Sequence, residues 1–123
     1  MPVKSFSTNQ VNPLGAQPAG KITWGGPASY AQLVPGTVPS GGDGPLTPSM
    51  FGLPILTHAF PALSADGQWM VFPVIFAQGQ KMLLTWRSTA TGSIGGQSQT
   101  TGAEAAAATN LSGSQVAILA FGM

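Results

Sequence analysis

The 123-residue chain carries three acids, four bases and one histidine, so the side chains able to move protons or hold a metal can be weighed one by one. His58 stands in LTHAFP with no second histidine and no acid within three residues. Zinc takes three or four ligands at helical or loop spacing, and the chain offers no such set. The expected role of His58 is a hydrogen-bonding loop residue. A Ser–His–Asp triad assembles in space, so His58 could draw on Asp43 or Asp66, but the sequence has no G-x-S-x-G elbow. Asp43 in GGDGP and Asp66 in ADGQ occupy positions that turns favour. Glu104 follows Thr101 at capping-box spacing and precedes four alanines. Each acid has a structural use, and the expectation is no enzyme, no metal and no cofactor.

Binding chemistry is equally sparse. The stretch SGGDGPLT lacks the phosphate-cradling G-x-x-x-x-G-K-[ST] pattern and has no lysine nearby. Lys4, Lys21, Lys81 and Arg87 are too few and too scattered for the counterion release that drives nucleic-acid binding. Trp24, Trp69 and Trp86 could stack on bases or sugars, but tryptophans at strand positions among aliphatics belong more often to a core.

The elements that must position these residues are set by an unusual composition. Charged residues make up 6% of the chain, against roughly 25% in an ordinary soluble domain. The net charge is +1 and 43% of residues are hydrophobic, which separates the chain from disordered sequences of low hydrophobicity and high charge. A net charge near zero favours association. There is no cysteine for a disulfide. The opening MPVKSFSTNQ lacks the apolar centre of a signal peptide, and the longest apolar run, from Trp69 to Ala77, is too short for a membrane helix.

All 11 prolines lie between Pro2 and Pro73, which keeps that part from being mostly helix or central strand. Residues 1–20 read as an extended N-terminal arm with Val3, Phe6, Val11 and Leu14 as its apolar groups. Residues 21–123 read as a single β-rich domain. A hairpin is expected from Lys21 to Val34 with Gly25-Gly26-Pro27 as its turn, then an irregular Pro/Gly loop over residues 34–54. After the turn pair Asp66-Gly67, QWMVFPVIF reads as a strand that is apolar on both faces, with an edge or bulge at Pro73. KMLLTWRS forms its return strand, residues 88–102 a polar loop or edge strand, Gly102–Ala108 a short helix, and QVAILAF a terminal strand that must insert into a sheet. The fold class is mainly β, a small sandwich or barrel-like domain with long Pro/Gly loops and at most one short helix.

In size, arm and composition, with the arm MPVKSFSTNQ and the closing QVAILAFGM, the chain resembles the small capsid decoration, or cement, proteins of tailed bacteriophages. The resemblance implies a virion structural protein, made in the host cytoplasm, that binds the major capsid protein or other virion subunits and clusters as a homo-oligomer, a trimer above all. It implies no membrane or nucleic-acid partner. The interface would draw on Val3, Phe6, Val11 and Leu14 of the arm and on the faces bearing Trp69, Phe72, Phe76 and Trp86. Alternatives are a carbohydrate- or receptor-binding β module using exposed tryptophans, a minor enzyme centred on His58, and a neck, tail, fibre or coat component.

Overall fold

Ile22 and Trp24 alternate with Lys21 and Thr23, and Val116, Ile118 and Ala120 alternate with Gln115, Ala117 and Leu119. This period of two makes each segment a half-buried strand. The computed structural model describes residues 19–122. In it β1 (Ala19–Gly25) pairs antiparallel along its whole length with β10 (Gln115–Gly122). The other side of β10 pairs with β4 (Leu56–Ala59), so the terminal strand lies at the centre of a three-stranded sheet.

The larger sheet contains β2 (Ala31–Val34), β3 (Ser40–Leu46), β5 (Ala62–Leu63), β6 (Trp69–Phe76) and β7 (Lys81–Ser88), in the order β2-β3-β7-β6-β5. A separate hairpin joins β8 (Gly92–Ile94) to β9 (Gln97–Gln99). Its two turn residues, Gly95 and Gly96, have φ of 67° and 83°, the left-handed conformation that a two-residue hairpin turn demands. The molecule is mainly β, as expected. Its two sheets face each other across one core: Ile22, Trp24, Leu56, Val116 and Ile118 from the smaller, Leu46, Trp69, Val71, Met82, Leu84 and Trp86 from the larger. A 3₁₀ turn, Pro48–Phe51, packs against β1 and adds the buried ring of Phe51 to the core.

Several expectations are corrected. Lys21–Val34 is no hairpin, because β1 and β2 belong to different sheets and take β10 and β3 as partners. The stretch 34–54 is not all loop: it holds β3 and the 3₁₀ turn. Strand β1 begins at Ala19, two residues inside the expected arm. Residues 102–108 form no helix. Ala105 N donates to Trp86 O and Ser88 N donates to Ala103 O, so this segment satisfies the end of β7 beyond the reach of β3, whose pairing with β7 runs only to Leu84. Unpaired groups on a sheet outcompete a one-turn alanine helix.

Pro73 lies on the edge, with no bulge toward β7. The register from Trp69↔Ser88 to Phe76↔Lys81 is unbroken. Trp69 O accepts Ser64 N, on the side away from β7. Alternation then turns Pro73 to the same outer side, where β5 pairs only with Met70 and Val71. The donor that proline lacks is one the sheet does not use.

Candidate functional site

The chemistry-bearing residues fall into a buried polar cluster and an outer sheet face. In the cluster, Asp43 is fully buried in β3, held between Gly42 (φ 62°) and Gly44 (φ 134°), which reach backbone conformations that side chains resist. Its Oδ2 accepts Trp24 Nε1 at 2.7 Å and Trp86 Nε1 at 3.0 Å, one indole from each sheet. Its Oδ1 has no hydrogen-bond partner among the described residues. Burial pushes the carboxyl up to about 6, although the two indole donors pull it down. Asp43 is therefore a tie across the core, and its expected place in a turn is corrected.

Beside it, the Tyr30 hydroxyl donates to Glu104 Oε2 at 2.6 Å, and Leu33 N donates to the same oxygen at 2.6 Å. Burial first, then the Glu104 hydrogen bond and charge, hold the Tyr30 phenol well above its ordinary range. Glu104 caps no helix; it ties the β2 edge to the 103–105 segment. Asp66 keeps its turn role. Its Oδ1 accepts Ser64 Oγ at 2.5 Å and Gln68 N at 3.1 Å, and its Oδ2 accepts Ser114 Oγ at 2.7 Å. Partial burial acts upward on its carboxyl, but these donors prevail and leave it below the usual value. His58 is exposed on β4 and its Nδ1 lies 3.3 Å from Thr57 Oγ1. The structure brings His58 to neither aspartate carboxylate, and both are held by other groups.

The expected interface residues separate sharply. Trp69 and Trp86 are 1% and 0% exposed, as Trp24 is at 0%, so all three belong to the core. They are corrected as contact residues and as sugar- or base-stacking platforms. Phe72 and Phe76 are half-buried on the opposite face of β6, with Met70 (40% exposed) and Val74. Alongside them β7 places Lys81, Leu83, Thr85 and Arg87 on the same face, with Leu83 and Thr85 buried. Val3, Phe6, Val11 and Leu14 lie outside the described residues.

On this face are two open hollows. One, of about 490 Å³, has Phe76, Lys81 and Leu83 on its floor and Ala31, Val38 and Pro45 at its sides. The other, of about 500 Å³, lies between Leu33, Pro35, Phe72 and Val74, with Thr85, Arg87 and Glu104 as its polar groups. The Arg87 guanidinium sits 5.9 Å from the centroid of Phe72, and its Nη1 donates to Gly102 O at 3.0 Å. Sequence reading missed Leu33 and the buried Thr85 as lining residues of this hollow and Asp43 as a buried acceptor. The available signal for Asp43 was three tryptophans whose indole N–H groups need acceptors in a chain with only three acids. Comparison with protein-family models, curated proteins and solved structures finds no match.

Proposed function

We propose that the protein is a non-catalytic structural subunit that works by adhesion, a capsid decoration protein or a related virion component in the manner of the family it resembles. The observation that carries this reading is the outer face of the larger sheet, where Met70, Phe72, Val74 and Phe76 form an apolar row on β6 that stays partly open to solvent, Met70 being 40% exposed. Exposed Val34, Val38 and Leu63 extend the apolar surface of this sheet through its outer strands and the loop after β2. Such surface is the usual mark of a contact with another protein. The three acids that would be needed for acid–base chemistry are instead tied to tryptophans, a tyrosine and serines. The partners are other copies, a trimer above all, and the major capsid protein or another virion subunit, with the arm adding its own contacts. Weak contacts repeated over a symmetric shell sum to strong attachment.

Light scattering over a hundredfold concentration range tests the homo-oligomer, with a closed ring expected. The double variant Phe72→Ser, Val74→Ser is expected to weaken self-association or shell binding about tenfold or more while leaving the melting profile close to wild type. Deletion of residues 1–14 is expected to weaken particle binding. A chain that stays monomeric at every concentration and whose shell binding ignores both changes defeats the reading.

A further inference from the structure

The hollow beside Arg87 has polar groups left open toward it. Thr85 is 5% exposed and lines the hollow, and its hydroxyl has no hydrogen-bond partner among the described residues. Arg87 uses one nitrogen on Gly102 O and keeps further N–H donors. Glu104 engages Oε2 twice and leaves Oε1 open. Arg87 and Glu104 face each other in an isolated antiparallel bridge, a geometry that places their Cβ atoms roughly 5 Å apart. Yet they form no ion pair: Glu104 is drawn to Tyr30 and Leu33, and Arg87 to the Phe72 ring and Gly102. Donors and an acceptor thus stand side by side at the polar end of a hollow whose other walls are Leu33, Pro35, Phe72 and Val74.

We infer that this hollow binds a carboxamide group carried on an aliphatic body. The amide oxygen accepts from Arg87 or Thr85, the amide N–H donates to Glu104 Oε1, and the aliphatic part packs on Leu33, Pro35 and Val74. A carboxylate finds Arg87 but meets the Glu104 charge, and an ammonium has the reverse conflict, so a neutral dipolar group fits best. A sugar is the poorer fit, because the half-buried ring it would stack on, Phe72, already carries the Arg87 guanidinium. The inference rests on reading this face as a contact surface and commits to one occupant: an Asn or Gln side chain of a partner protein.

The test is titration of the isotope-labelled full chain, followed by NMR at the Thr85 amide and the Arg87 Nε–H. The probes are isovaleramide, isovalerate, isoamylammonium, methyl glucoside and the peptide acetyl-Val-Asn-Leu-amide. Isovaleramide is expected to saturate both signals with a millimolar Kd, and Arg87→Met and Thr85→Val each to weaken it about tenfold. Binding of the peptide tighter than of isovaleramide is expected; equal or tighter binding of isovaleramide overturns the assignment to a partner's side chain and points to a free small amide. The inference is overturned if isovaleramide leaves Thr85 and Arg87 unmoved, if isovalerate, isoamylammonium or methyl glucoside binds as tightly, or if both variants bind unchanged. Self-association and shell binding are measured without any amide, so failure of the adhesion reading and failure of this site are separately visible.

Discussion

A carboxylate withdrawn from water between two sheets makes folding depend on pH, and Asp43 gives that dependence a definite sign. Its native value of about 6 lies above the ordinary 3.8, a difference worth about 3 kcal/mol. Well below pH 3.8 the group is protonated in both states. As pH rises toward 6 the unfolded chain ionises first, stability falls, and the full penalty is present above that. Wild-type protein is therefore expected to melt higher at pH 4.5 than at pH 7.5. Asp43→Asn keeps a carbonyl to accept both indoles and should flatten this part of the profile. Asp43→Ala strands two buried indole N–H groups and should lose about 3 kcal/mol or more by urea titration at pH 4.5. Asp66 acts oppositely: its lowered carboxyl adds stability above its unfolded value, lost as pH falls through the native one. Local sequence suffices to place Asp66, whose Ser64 and Gln68 partners sit two residues away, but not Asp43, whose partners are 19 and 43 positions distant.

Strand pairing depends on how closely backbones can approach. Gly20 in β1 leaves no room for a methyl group, since a Cβ there would stand 1.9 Å from Phe51 O. Gly20→Ala is expected to cost about 3 kcal/mol, read by denaturant melting, because the 3₁₀ turn must move or the sheet must bend. Pro73 guards the open outer edge of β6. Pro73→Thr restores an N–H there, and the expected result is a nearly unchanged melting point with faster aggregation on light scattering, since an edge that regains donors can pair with another chain. The extents of β6 and β7 were legible because alternation and the Asp66-Gly67 turn are local signals. The segment from Gly102 to Ala108 was misread because its helix propensity is local, whereas the open end of β7 that recruits it is not.

Across the whole molecule, the row of apolar residues on β6 divides between two destinations. Trp69 and Val71 fill the core, while Phe72, Val74 and Phe76 stand on the outer face. Trp69→Ala should cost about 3–5 kcal/mol in thermal unfolding, whereas Phe72→Ser should spare the fold and strike association. With Asp43 buried, Asp66 held by Ser64, Gln68 and Ser114, and Lys21 and Lys81 exposed, a partner surface away from the Glu104 hollow meets cations and apolar groups before it meets carboxylates. Residue types and spacing establish the β class, the strands at 69–76 and 81–88, and the insertion of the 115–122 segment into a sheet. Those follow from a period of two, from proline's missing donor, and from the need of an apolar end to be covered. Which strands are neighbours, that all three tryptophans close inward, that Asp43 ties two sheets and that Glu104 meets Tyr30 from 74 residues away are set by three-dimensional packing. Such contacts come from the packing of whole sheets and leave no trace in the spacing of nearby residues.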